Sequence, residues 1–140
     1  MSTIIPNNVV RIPTSLEGSF FRHWFEFLRP FHGLTEREID VITSFVKQRY
    51  ALSKVITDDD ILDQVVFNED TKKKVREECN ISLPYFQVVM GKLRKNKLIV
   101  NGKLNKRYIP NIPTDAKDFK LMLYFEFKDE QERSDKESSK

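Results

Sequence analysis

Apolar residues recur at helical spacing through most of the first hundred positions and switch to alternation at 97–109 and 119–128. The first helix is expected from about Leu16 or Gly18 to Arg29, with Pro30 as its stop. Phe20, Trp24, Phe27, Leu28 and Phe31 follow its stripe, and Phe21 and Phe25 widen the stripe past half the circumference. A helix that apolar needs cover on more than one side. Thr35-Glu36-Arg37-Glu38 has the form of a capping box and starts a second helix, in which Ile39, Ile42, Phe45, Val46 and Arg49 carry the pattern to about Tyr50. Thr57, followed by Asp58-Asp59-Asp60, is the expected cap of a third, short helix to about Phe67, with Ile61, Leu62, Val65 and Val66 inward.

The fourth helix is expected over about Glu69–Cys79, with Val75 and Cys79 as its buried pair and Asn80 as a left-handed cap. Ser82 caps the next helix, Leu83–Lys95, where Pro84 is tolerated because a first-turn amide is unpaired anyway. A strand at Lys97–Val100, the pair Asn101-Gly102 and a strand at Lys103–Ile109 then read as a hairpin, ended by Pro110 and Pro113. Residues 119–128 alternate as a further strand: Phe119, Leu121, Leu123, Phe125 and Phe127 share one face, and Lys120, Met122, Tyr124, Glu126 and Lys128 the other. Residues 1–14, broken by Pro6 and Pro13, read as an N-terminal arm in which Val9–Ile12 can form a short strand. Residues 15–128 are the expected domain, and 129–140 an expected disordered polar tail.

Charge changes this picture. The 140-residue chain carries a net +3, yet residues 68–110 hold eleven Lys/Arg against four Asp/Glu, a local +7 that leaves −4 elsewhere. Residues 81–110 contain seven basic side chains and no acid, which points to one positively charged face. A single cysteine, Cys79, precludes a disulfide framework within the chain and a cysteine-rich zinc site. His23 and His32 have no positioned carboxylate partner in sequence, and Gly18, Gly33, Gly91 and Gly102 are too scattered for a phosphate loop. Asp58, Asp59, Asp60 and Asp63 lack the alternating spacing and glycine of a calcium loop, so capping accounts for them better. Cys79 reads as a small core residue. The expectation is a protein that works by binding, with no catalytic residues, cofactor or metal. No apolar run is long enough to cross a bilayer, and no segment has the form of a secretory leader. A reducing, cytoplasmic location is therefore expected.

Residues 71–109 read as helix (TKKKVREEC), tight turn (NIS), helix (LPYFQVVMGKLRK) and hairpin with a basic tip (KLIVNGKLNKRYI). This order resembles the winged helix-turn-helix family of nucleic-acid-binding domains, closely over these residues and loosely over 35–110. The resemblance implies a mainly α fold with a small antiparallel β wing (α+β), here with an extra N-terminal aromatic helix and a C-terminal strand. It also implies that helix 83–95 enters the major groove while wing 97–109 touches the backbone or minor groove. The stretches IPTSLEGSFFRHWFEFLRPFHGLTEREIDVI and VREECNISLPYFQVVMGKLRKNKLIVNGKLNKRYIPNIP are also similar in style to small winged-helix proteins of tailed, crAss-like bacteriophages. For a phage-encoded chain the location would be the host cytoplasm or the virion.

The residues give this reading its chemistry. Phe86, Val89, Met90 and Leu93 make one core-facing stripe on helix 83–95. Pro84, Val88, Gly91 and Lys95 lie opposite, flanked by Gln87, Lys92 and Arg94. Gln87 suits adenine in the major groove, and Lys92, Arg94 and Lys95 suit phosphate or guanine. Gly91 inside a helix costs roughly 1 kcal/mol relative to Ala. It permits either close approach to a sugar-phosphate backbone or a close helix-helix contact. Ser82 starts the helix, and Lys103, Lys106 and Arg107 charge the wing. Four to six phosphate contacts from this set would give a log-log salt slope of about −4 to −5. Lys72-Lys73-Lys74 read as solvated helix surface that adds to the field.

Two function classes follow. The first is a double-stranded-DNA-binding protein in transcription regulation or phage DNA handling. The second is a structural or adaptor protein, such as a virion component, that uses the same fold for protein contacts. Phe21, Trp24 and Phe25 are the candidate partner-binding residues, for a homodimer or another protein, unless the arm and final strand simply wrap that helix. The strand at 119–128 either extends the wing sheet or pairs with its equivalent in a dimer. RNA binding lacks a stacking platform, because Tyr85 and Tyr108 alone do not make one.

Overall fold

The structure is a computed structural model that describes residues 9–129. Residues 1–8 of the expected arm and 130–140 of the expected tail lie outside the described residues. Among the described residues six helices precede a two-stranded antiparallel hairpin: α1 (Phe20–Phe27), α2 (Arg29–His32), α3 (Glu36–Ser53), α4 (Asp59–Val65), α5 (Glu69–Cys79), α6 (Leu83–Lys95), β1 (Ile99–Val100) and β2 (Lys103–Leu104). The architecture is mainly helical with a small sheet.

The central element is α3, which packs against α1, α4, α5 and α6. Its start is the capping box expected at Thr35 and Glu38. Ile39, Val41, Ile42, Phe45 and Val46 are buried along it and meet Phe86 and Leu93 of α6 and Val75 of α5 in one continuous core. Each such side chain contributes roughly 1.5–3 kcal/mol of burial. The cap of α4 is Asp58 and not Thr57: its carboxylate accepts from the amide of Ile61. The expected inward set is also corrected: Ile61 faces solvent and Val65 is half-buried, while Leu62, Asp63 and Val66 are buried.

The aromatic helix is shorter than expected and ends at Leu28, after which Pro30 sits in the first turn of α2. Proline there continues the chain in a new helix because it needs no amide partner in that turn. Phe21 and Phe25 are wholly buried against α3 and the core, which overturns their assignment as partner-binding residues. Trp24 is partly buried, and its indole Nε1 donates to the Tyr108 carbonyl at 2.9 Å. Phe27 and Phe31, which the broad stripe did not separate from the others, are 47% and 59% exposed.

His32 is locked by two bonds. Its Nδ1 accepts from the amide of Leu34 at 3.0 Å, so Nε2 carries the proton and donates to the Phe25 carbonyl at 2.8 Å. Burial holds this imidazole below its ordinary value; the bond to Phe25 acts the other way, and the nearby Arg29 adds to the lowering. On the opposite side of the same junction, Arg22 and Arg29 bridge Glu26 and Glu36, and Arg22 also reaches Asp40. These pairs fix the α1–α2 corner on α3.

The expected strand at 119–128 does not form. Phe119 packs, with its ring edge-on to Phe20 and Trp24 at 5.3 and 5.5 Å. Beyond it residues 120–129 have neither helix nor ladder and are exposed. A strand needs a ladder partner, and the hairpin is only two residue pairs long. Val9–Ile12 are likewise exposed and form no strand.

Candidate nucleic-acid interface

The turn between α5 and α6 is built by backbone geometry. Asn80 adopts the left-handed conformation (φ 52°), so the amides of Asn80 and Ile81 turn back onto the carbonyls of Glu77 and Arg76. That pair of bonds is a Schellman cap, and it closes α5 within one residue. Ser82 is extended, and its hydroxyl accepts from the amide of Tyr85 to open α6. Arg37 donates to the Cys79 carbonyl at 3.1 Å, tying the turn to α3.

The helix α6 has the expected bounds and the expected division of faces. Phe86, Val89, Met90 and Leu93 are buried. Gln87, Val88, Lys92, Arg94 and Lys95 are exposed on the outer side, with Gly91 half-buried between them. A Cβ added at Gly91 would meet nothing within 4 Å. No helix-helix contact therefore accounts for this glycine. Among the described residues no ion pair involves Lys92, Arg94 or Lys95. Three cations in the last turn also lie where the helix dipole is negative.

After α6 the chain makes a second Schellman cap. Lys97 is left-handed (φ 66°), and the amides of Lys97 and Leu98 return to the carbonyls of Arg94 and Leu93. Lys97 is thus a cap residue and not the first strand residue, and β1 starts at Ile99. Asn101 (φ 55°) and Gly102 (φ 73°) supply the two positive φ angles of a type I′ turn, with Ile99 opposite Leu104 and Val100 opposite Lys103. The second strand ends at Leu104 because Asn105 redirects the chain. Its Nδ2 donates to the Lys97 carbonyl at 2.8 Å and its Oδ1 accepts from the amide of Arg107. A short 3-10 turn, Lys106–Tyr108, follows and sends Tyr108 into the core.

The expected site residues therefore divide. Ser82, Gln87, Val88, Gly91, Lys92, Arg94 and Lys95 belong to one helix and its cap. Lys103 and Arg107 are exposed and in no ion pair with a described residue. Lys106 is different: its Nζ lies 3.2 Å from Asp63 Oδ1. The same oxygen takes Arg49 at 3.3 Å, and the Asp63 side chain is only 4% exposed. Lys103 and Lys106 also line a shallow groove shared with Asp59, Asp60 and Asp63 of α4. The stretch that lacks acids in sequence acquires them in space on the hairpin side.

The Arg49–Asp63–Lys106 cluster is not apparent from the residue pattern, although one signal is present. Arg49 continues the apolar stripe of α3, and a charge on a buried face calls for a counter-charge. Cys79 is buried, its thiol donates to the Asp40 carbonyl, and burial, helped by Asp40 and Glu78, pushes it up to about 11. No group of three His, Cys, Asp or Glu among the described residues is arranged to hold a metal ion, and no helix among them is long and apolar enough to cross a membrane. No protein-family model, curated protein or solved structure matches the chain.

Proposed function

We propose that the chain is a winged helix-turn-helix protein that binds double-stranded DNA, with α6 in the major groove and the hairpin as a small wing. The observation that carries this reading is the outer face of α6, where Lys92, Arg94 and Lys95 stand exposed opposite a buried stripe and pair with no acid among the described residues. The helix-turn-helix of α5 and α6, closed by the left-handed Asn80, supports it, as does the hairpin directly after. Gln87 and Val88 lie nearer the helix start, where a recognition helix meets base edges. The three cations and Arg107 hold phosphates, and Lys103 lends charge at the hairpin turn. A role in transcription regulation or in phage DNA handling follows from binding alone, without a cofactor.

The test is a titration of the purified chain against a fluorescent random-sequence duplex at two salt concentrations, beside a single-stranded control. The expected result is micromolar binding to duplex with a log-log salt slope of about −4. The variant Lys92→Glu/Arg94→Glu/Lys95→Glu should lose binding at least a hundredfold while remaining folded, with a melting temperature lowered by the three carboxylates at the negative helix end. The variant Lys92→Gln/Arg94→Gln/Lys95→Gln should lose binding with a smaller drop in melting temperature. Absence of duplex binding at low salt overturns the reading.

A second reading, a structural or adaptor protein such as a virion component, is favoured by one observation: the apolar segment after Phe119 has no cover among the described residues. Under it the triple variants assemble as wild type, and substitutions at Phe27 and Phe31 disrupt assembly. Phe21 and Phe25 are unsuitable for that test, because replacing a buried Phe removes about 3–5 kcal/mol of stability.

A further inference from the structure

We propose that residues 119–127 pair with the same segment of a second copy of this chain, as two antiparallel strands related by a two-fold axis through Leu123. The segment carries an exposed apolar face: Leu123, Phe125 and Phe127 are 55%, 76% and 96% exposed. An exposed alternating segment with no ladder partner among the described residues is a template for strand addition. What identifies its partner is the order of charges around Leu123.

With Leu123 opposite Leu123, every residue faces the one equally distant on the other side of the axis. Lys120 then faces Glu126 of the second copy, and Glu126 faces its Lys120. The apolar face matches too: Phe119 meets Phe127, and Leu121 meets Phe125. Centring the pair on Tyr124 instead would set Lys120 against Lys128, and centring it on Met122 would set Asp118 against Glu126. An axis between two residues would place apolar side chains opposite polar ones, because residues directly opposite share a face. Thus only the Leu123 register, among its neighbours, joins opposite charges and like faces.

A bare two-stranded ribbon is marginal in water, so its apolar face needs a floor. The described contacts supply one. Phe119 already packs edge-on to Phe20 and Trp24, and Phe127 of the second copy arrives beside Phe119. Phe27 lies on the same α1 stripe, three residues past Trp24, and is exposed.

Sedimentation equilibrium of the full chain tests this, independently of any DNA. The wild type is expected to be dimeric. Lys120→Glu or Glu126→Lys alone places like charges opposite each other twice per dimer and should weaken dimerisation by about tenfold. The double variant Lys120→Glu/Glu126→Lys should restore it, which a merely structural role would not do. Leu123→Cys should give a disulfide-linked dimer on mild oxidation, since only this position faces itself, and Phe125→Cys should not; Cys79 is buried and does not compete. A monomeric wild type, a double variant as weak as the singles, or equal cross-linking at both positions would each overturn the pairing.

Discussion

The outer face of α6 and the second hairpin strand with the 3-10 turn after it carry similar basic residues in one acid-free stretch of sequence, yet the fold treats them in opposite ways. Lys92, Arg94 and Lys95 project from the exposed side of a helix and form no ion pair among the described residues. Lys106 folds onto Asp63, and Lys103 shares a groove with Asp59 and Asp60. The acids come from α4, some forty residues earlier in the chain. Positive charge counted along a sequence becomes a usable field only where tertiary structure brings no counter-charge. On this ground DNA affinity should reside mainly in α6, with Arg107 ahead of Lys106 on the hairpin.

The largest expected effect comes from removing the counter-charge. Asp63→Asn leaves Arg49, whose side chain is 12% exposed, without its carboxylate. Loss of one partner from a buried ion pair costs about 3 kcal/mol, which urea denaturation would register as a clear drop in midpoint. In the same variant Lys106 is released, so duplex binding should tighten about two- to threefold and the salt slope should steepen by about 0.9. Weaker binding in a folded Asp63→Asn protein would break the contrast between helix and hairpin.

A smaller change should appear with pH at the residue that joins the two regions. The His32 carbonyl accepts from Asn96 at the end of α6 at 3.1 Å, and its ring meets Tyr108 beside the hairpin. Its folded value lies below the ordinary 6.5 because burial disfavours the imidazolium. Above 6.5 both folded and unfolded chains hold a neutral ring, and this contribution to stability is complete. As pH falls below that value the unfolded chain takes up a proton first, so stability declines until the folded ring protonates as well. Protonation also turns Nδ1 into a donor and costs the Leu34 bond. Melting curves from pH 7.5 to 5 should show this decline, and His32→Gln should flatten it relative to wild type.

Much of this frame was readable from residues alone, and the exceptions share a cause. Both Schellman asparagine and serine positions around the α5–α6 turn, the bounds of α6 and its buried stripe follow from local rules, because caps and periodicity act within a few residues. The hairpin turn was legible for the same reason. What failed depended on distant partners. Residues 119–128 have a strand's alternation but no ladder among the described residues. Phe21 and Phe25 were indistinguishable by type from Phe27 and Phe31, and only packing against α3 separates them. Lys97 looked like a strand residue because nothing in its side chain announces a left-handed cap. The site face on α6 was legible for its residues, whereas the neutralising acids beneath the hairpin were not.

Gly91→Ala separates stability from contact on the α6 face. With no atom within 4 Å of the added methyl, the substitution should stabilise the folded chain by about 0.5–1 kcal/mol, as alanine does in a helix interior. If that face approaches a DNA backbone, duplex binding should weaken several-fold in the more stable protein. Unchanged binding would move the contact toward Gln87 and Lys92 and leave Gly91 without a role at the interface.

The smallest effects give the finest comparison, because single exposed lysines differ only in what surrounds them. Lys95→Ala removes a cation that has no acidic partner among the described residues, and should lower duplex affinity about threefold and reduce the salt slope by about 0.9. Lys106→Ala removes one whose ammonium already neutralises Asp63, so its affinity loss should stay under about twofold with little change in slope. Its side chain is 56% exposed, which also limits the stability cost to the range of surface pairs. Anisotropy titrations of both variants at two salt concentrations suffice. Equal losses from the two would mean that Lys106 leaves Asp63 for phosphate when DNA arrives, and the hairpin would then rank with the helix.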